Sequence, residues 1–435
     1  MKSLCIVAAC ALAGVLASGY GWAQPGASPQ VTPLPSSAAT ALVAGTATAI
    51  SAVTLRTALD AAWQRAVAAR ESEGQRLRIE ADRTAAASLW AAPPSFEVSY
   101  RDDRLQSNIG KREVELGVAV LLWLPGQQTA RVATADAADA QANAAEQAAR
   151  WRLAGELIDA AWQIATLQAE LAQADQQAAL FQQLSMDTER RVRAGDLARV
   201  DALSAQAEHL AATSVQSEAR QRLQSARARW TLLTGLTAAP DLTVVPGAGS
   251  VQQAAPDAVE SHPELQLARQ SSALARQRLD LLRVSRRDAP ELSVGLRREM
   301  PGRAEASQGS LVMGLRVPFA TRERNRPLEA AALAELDVAV THEQRLRERL
   351  ESERSSSGQA VQAAVAQSQA ETTRARLLRE RASLFDQSFK AGETPLPDLL
   401  RALVAAAQAD SAAARQTAAL GLARARLQHT LGLLP

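Results

Sequence analysis

From Leu55 onward apolar residues recur at intervals of three and four, as Leu55, Leu59, Ala62, Trp63, Ala66 and Val67. This spacing predicts a helix to about Trp90, with Thr54 as its N-cap and Pro93-Pro94 as its stop. The period then drops to two. Phe96, Val98 and Tyr100 alternate with Glu97, Ser99 and Arg101, and Val114, Leu116, Val118 and Val120 alternate with Glu113, Glu115, Gly117 and Ala119. Two strands follow, about 95–104 and 112–122, each with one apolar and one polar face. After Pro125-Gly126 the helical period returns from about Thr129 to Val192. Its seam is Leu153, Leu157, Ala160, Ile164, Leu167, Leu171, Ala174, Ala178 and Phe181, which is coiled-coil spacing. Gly195 breaks it, and a further helix runs from Leu197 to about Leu233 and stops at Gly235.

The same order then occurs again. Arg193-Ala194-Gly195-Asp196 followed by Asp201-Ala202-Leu203 returns as Lys390-Ala391-Gly392-Glu393 followed by Asp398-Leu399-Leu400, displaced by 197 positions. Gly117 and Gly314 keep that offset, as do the Ala-Arg-Ala-Arg runs beginning at Ala226 and Ala423. A fixed offset over this length is an internal duplication. The predicted organisation is a leader (1–23), an extended segment (24–53), repeat 1 (54–236), a linker (237–260) and repeat 2 (261–435). Repeat 2 holds a helix from Pro263 to about Arg287, strands near 291–299 and 309–318, a long helix from about Pro327 to Phe389, and a last helix to Leu431. At 1.5 Å per residue each long helix spans roughly 100 Å and its shorter partners roughly 55 Å, so two short helices end to end match one long helix. The second long seam carries Arg354, Ser357, Ser368 and Glu371, which predicts a more solvated or lumen-facing side.

Composition sharpens this picture. Aromatic residues make up 3% of the 435 and the formal net charge is +2. Arg alternates with Glu and Asp as on solvated helix faces, and no nucleic-acid footprint is present. Lys2, an apolar run from Leu4 to Leu16 and Gly21-Trp22-Ala23 form a secretory leader. Val7-Ala8-Ala9-Cys10 is a competing lipidation box with a short apolar core. Both cysteines, Cys5 and Cys10, lie in the leader, which removes disulfides and thiolate metal sites from consideration. No later run is long enough to cross a bilayer as a helix.

Candidate chemistry is sparse. His209, His262, His342 and His429 are scattered, which points to cap or surface roles rather than metal ligation. Neither a phosphate loop nor a nucleophile elbow is present, so an enzyme and a cofactor are not expected. The strands allow two readings: half of a soluble sandwich with one wet face, or part of a membrane barrel with lipid outside and water within. Four strands cannot close a membrane barrel, so the second reading requires several chains. Trp90, Trp123 and Phe319 lie beside the strand ends, where an aromatic belt or core packing would place them.

The paired turns, the Asp-x-Leu after each, and Leu233-Thr234-Gly235-Leu236 closing repeat 1 resemble the TolC family of outer-membrane efflux channels over about Thr54–Leu433. The resemblance implies a mainly α fold: a long helical-hairpin barrel plus four transmembrane strands per chain, twelve in a homotrimer. It implies location in the outer membrane with a large periplasmic portion, a periplasmic adaptor and an inner-membrane RND-type pump. It places adaptor contacts at Arg193, Ala194, Gly195, Asp196 and Leu197, and at Lys390, Ala391, Gly392 and Glu393 through Pro395. Its acidic pore constriction maps onto Asp398, with Arg401 where a second aspartate is expected and Asp201 as the counterpart in repeat 1. Asp201 and Asp398 also suit the first turn of a helix, where the dipole favours acid. Trp123-Leu124-Pro125-Gly126-Gln127-Gln128 and Arg131 look like the heavy-metal-cation (CzcC-like) branch. Drug or protein export by the same family, and a periplasmic coiled-coil adaptor, are the competing functions.

Overall fold

The computed structural model describes residues 53–105, 108–240, 242, 259–303, 305–319 and 322–434. The expected leader, nearly all of the extended segment and most of the linker lie outside them. The elements are α1 (Leu55–Arg65), α2 (Val67–Ala86), β1 (Ala92–Asp102), β2 (Arg112–Leu121), α3 (Gln127–Ala194), α4 (Arg199–Thr234), α5 (Pro263–Val284), β3 (Glu291–Met300), β4 (Gln308–Arg316), α6 (Arg322–Lys390) and α7 (Leu396–Thr430).

Three boundaries differ from the expectation. The first helix is two, because Ala66 adopts an extended conformation (ψ 138°) between α1 and α2. Thr54 does cap α1, in a reciprocal capping box with Thr57. α1 packs against both α3 and α4, whereas α2 packs against α3 and otherwise only against the adjoining α1. A one-residue break that re-aims the chain leaves the helical period on each side intact. Pro93 and Pro94 lie inside β1 rather than ahead of it. β1 is an edge strand, and its register shifts between Ala92 and Ser95, so the missing N–H groups cost little. α6 starts before Pro327, its first turn being tied down by Asn325 Nδ2 donating to Arg286 O and by Arg324 pairing with Asp288.

The strands form one antiparallel sheet in the order β1-β2-β3-β4. Its register aligns apolar rows: Phe96, Val118, Val294 and Met313 lie side by side, as do Val98, Leu116, Leu296 and Leu311. The opposite face is charged. Below the sheet, α3 and α6 are 68 and 69 residues long, so each reaches roughly 100 Å. α4 lies along α3, α7 lies along both α3 and α6, and α5 bridges α3 and α6 nearer the sheet. The first seam is packed as its spacing predicts. Leu157, Ile164, Ala174, Ala178 and Phe181 are buried, and Leu153, Ala160, Leu167 and Leu171 pack beside the core of α1, α3 and α4. The second seam is less solvated than its sequence suggests: Ser368 is buried, and Ser357 bonds Thr430.

Where α3 and α7 cross, small residues admit large ones. A Cβ on Gly421 would overlap the Trp162 ring, and one on Gly155 would lie 2.8 Å from the His429 ring. Trp151 stacks on His429 with centroids 4.1 Å apart and meets His262 edge-on at 4.5 Å. Trp151 Nε1 donates to His429 O, and His429 Nε2 lies 2.8 Å from Trp151 O, making a two-way clasp. His262 caps α5 by accepting from the Glu264 N–H through Nδ1, and it is fully buried. Its cap role matches expectation, but its position is in the core rather than on the surface. Burial pushes its pKa down to about 4, outweighing the pull of Glu264; His429 and Arg349 push the same way as burial.

Two outcomes follow from this packing. Replacing Gly421 by Ala forces the Trp162 ring out of its slot and lowers stability by about 1–3 kcal/mol, read as a drop in melting temperature with altered tryptophan fluorescence. The unfolded chain protonates His262 near the ordinary value of 6.5 while the folded chain resists until about 4. The contribution of His262 to folding stability is therefore complete above the upper value and is lost as pH is lowered through this window. In H262Q that part of the pH slope disappears from the melting-temperature profile.

Candidate functional site

Two surfaces carry the polar groups that the fold does not consume: the pair of helical turns at one end and the charged face of the sheet at the other. The turns are built alike. Gly195 (φ 91°) and Gly392 (φ 81°) each sit just past a long helix in the left-handed region that L side chains avoid. Gly195 N bonds Val192 O while Asp196 N bonds Arg191 O; Gly392 N bonds Phe389 O while Glu393 N bonds Ser388 O. This is the Schellman pattern twice over, satisfying the last carbonyls of each helix.

The structure brings both turns to the same end. Phe181, Ala205, Phe389, Leu396, Leu399 and Leu400 share one apolar cluster, and Leu197 packs against it. Arg191 lies over the Phe389 ring at 5.1 Å, a cation–π contact that joins one turn to the other. Arg193, Ala194, Gly195, Asp196, Lys390, Ala391, Gly392 and Glu393 are all exposed, whereas Leu197 is half-buried. Beside them, α3, α6 and α7 enclose a groove of about 530 Å³ whose rim carries Asp187, Arg379, Asp386 and Asp410.

The candidate constriction residues divide. Asp201 accepts from the Ala198 N–H at 3.3 Å, so it caps the start of α4. Asp398 lies in the first turn of α7 and pairs with Arg401 at 2.7 Å. Arg401 thus stands where a second acid was expected and neutralises the first. Arg401 is largely in solvent and Asp398 is half-buried at the protein surface, so the pair contributes little to folding.

At the other end Arg297 sits at the centre of the sheet's polar face. It reaches Glu113 at 2.9 Å, Glu115 at 3.0 Å and Glu299 at 3.6 Å, and Arg101 extends the group through Glu113 at 3.5 Å. Alternation placed each of these residues on one face, but only the cross-strand register shows them as a single cluster. Residues Trp123 to Arg131 form the strand-to-helix junction. Trp123 Nε1 and Gln128 Nε2 both donate to Ser88 O, and Gln127 Oε1 accepts from Leu124 N. Gly126 takes φ 77° at the helix start, and Arg131 lies over the Trp123 ring. These roles account for the motif by the turn it makes. Among the described residues no group of three His, Cys, Asp or Glu is placed to hold a metal ion, and no helix is long and apolar enough to cross a membrane.

No protein-family model matches the chain, and no curated protein sequence matches it. Solved structures do share its fold. A membrane protein from Pseudomonas aeruginosa is 19% identical with a TM-score of 0.69, over 88% of this chain and 91% of that one. The outer membrane protein VceC of Vibrio cholerae is 15% identical at a TM-score of 0.69, over 87% and 96%. CusC, which changes conformation on folding and transmembrane channel formation, is 14% identical at 0.69, over 88% and 93%. The likeness spans both repeats and establishes the fold: a long helical barrel segment carrying a small antiparallel sheet.

The capping geometry predicts a separation of effects. D201A leaves the Ala198 N–H without its side-chain acceptor and costs about 1 kcal/mol, measured by denaturant unfolding. D398A breaks only the exposed pair with Arg401 and shifts stability by under about 0.5 kcal/mol.

Proposed function

We propose that this chain is the outer-membrane channel of a tripartite efflux system, a passive duct from periplasm to exterior built as a homotrimer. The carrying observation is the sheet. Its apolar face is bare: Phe96, Leu296, Met313 and Leu315 are 65–69% exposed, and none of the described helices covers it. A soluble sandwich would need a second layer there, whereas lipid would cover it directly. β1 and β4 each pair on one side only, leaving two open edges. In lipid such edges must be satisfied, and several copies pairing edge to edge would satisfy them. The charged face, with Arg297 and its carboxylates, would then line water.

The fold shared with VceC and CusC supports the same reading, and so does the resemblance of the paired turns to the TolC family. On that resemblance the exposed turns at Gly195 and Gly392 meet a periplasmic adaptor, which links the duct to an inner-membrane RND-type pump. Heavy-metal cations are the proposed cargo. This rests on the resemblance of the Trp123–Arg131 junction to the CzcC-like branch, with drug or protein export as the competing outcome.

Extending the β2–β3 register by one repeat sets Leu315 of β4 opposite Val98 of β1 in the next copy. Single cysteines at these two positions, combined in one chain, should give disulfide-linked trimers in outer-membrane fractions. Recovery of the protein only as a soluble monomer overturns the duct. Deleting the protein in its own host should raise sensitivity to divalent heavy-metal cations; raised sensitivity to drugs alone reassigns the cargo.

A further inference from the structure

The bare face of the sheet does not stay apolar along its whole height. Away from the helices, the row beyond Leu116 and Leu296 sets Tyr100, Val114, Arg298 and Gly309 side by side. The row after it sets Asp102, Arg112 and Met300 together. Arg298 and Arg112 therefore project from the same face as the apolar rows, opposite to the face of Arg297. They are diagonal neighbours on β3 and β2, with backbones about 7–8 Å apart, and both are exposed. At the rim beside the helices, the row Val120, Leu292 and Leu315 holds no charge. The guanidinium groups stand at one border of the apolar band and not at the other.

The fold consumes neither arginine. Among the described residues Arg112 makes no side-chain hydrogen bond or ion pair, although Asp102 stands directly opposite. That carboxylate is taken instead by Arg104 Nε at 3.5 Å and by the Tyr100 hydroxyl, which donates to it at 3.3 Å. Arg104 thus offsets Asp102, and the rim keeps two positive charges on this face. Arg298 donates to the Ser307 hydroxyl at 3.2 Å and, among the described residues, to nothing else. The space beside it is open: Gly309 lies opposite, and a Cβ there would meet no atom within 4 Å. A guanidinium at the edge of a lipid-covered surface reaches out to the headgroup level rather than lying among acyl chains. The strongest partner it finds there is phosphate, which its planar fork binds through two parallel N–H bonds.

We propose that Arg112 and Arg298 hold the phosphate headgroup of an anionic lipid in the outer leaflet, with its acyl chains lying on the apolar rows that begin at Leu296 and Leu311. The two forks suit a phosphomonoester, whose terminal oxygens can be shared between them. A zwitterionic headgroup carries its own cation, which the pair repels. Inorganic phosphate offers the same oxygens but covers none of the apolar rows, so the chains decide in favour of the lipid. β2 and β3 adjoin within one chain, so each chain carries the site whole. The inference rests on the duct reading, which puts the apolar rows in lipid and the strand-connecting residues 103–111 and 301–307 outside the cell.

Native mass spectrometry of the full chain in detergent tests this, with three probes: diphosphoryl lipid A, the same lipid stripped of its phosphates, and inorganic phosphate. The expected result is one retained lipid A per chain, with the stripped lipid held about tenfold or more weakly. R112Q combined with R298Q loses the same factor, and R112K combined with R298K recovers part of it. Equal retention of intact and stripped lipid overturns the site, and this comparison uses the unaltered chain, so it does not depend on the variants folding. Undiminished lipid A binding by the folded glutamine variant overturns the assignment to these two residues. Inorganic phosphate bound as tightly as lipid A overturns the lipid as occupant. Each of these results, obtained on protein extracted from outer membranes, leaves the duct standing. Recovery only as a soluble monomer removes the duct and this site with it.

Discussion

The seam between α3 and α7 holds the two repeats as one body. It is a close approach of helices, possible because Gly155 and Gly421 leave room for the rings of His429 and Trp162. Dispersion is strong at such short range and falls off within an ångström. The seam therefore has one register, and that register sets where both long helices end. Through it the turn at Gly195 comes to the level of the turn at Gly392, and the two strand pairs meet along β2 and β3. Trp151 adds direction: its ring and its backbone bond His429 in both senses, so sliding the helices by one turn would break both bonds and unstack the ring.

The other end of the molecule shows the opposite economy. Nothing among the described elements covers the apolar rows of the sheet, while the charges on its far face are paired with care. Arg297 is shared by three carboxylates, which lowers the cost of crowding Glu113 and Glu115 onto neighbouring positions of one strand face. One face of the sheet is thus paired within the chain, while the other is bare. Along the helical column α3 packs on α5 and α7 of the other repeat, whereas α6 packs on α5 and α7 of its own.

Much of this was legible in the sequence. The helices, the four strands, both glycine turns and the duplication follow from signals that are local or strictly periodic. A period of 3.6 or 2 is written into consecutive residues, and a positive φ at Gly195 or Gly392 depends on a few neighbours. Thr54 could be recognised as a cap for the same reason. The candidate constriction was harder. The sequence placed Asp201 and Asp398 correctly in first helical turns, but it could not show that one bonds a backbone N–H while the other is held by Arg401.

The sequence by itself determined the type and order of the elements, the two-faced strands and the repeat, because each is fixed within a stretch of chain. Only the tertiary structure decided how elements far apart in sequence meet. It decided the break at Ala66, the gathering of Arg297 with its three glutamates, the burial of His262, and the asymmetry by which α3 finds a partner in the other repeat while α6 does not. Periodicity says which side of a helix is apolar but not which neighbour that side will meet. That choice is made by shape complementarity between surfaces, here by rings that fit over glycines, and no single stretch of the chain contains it.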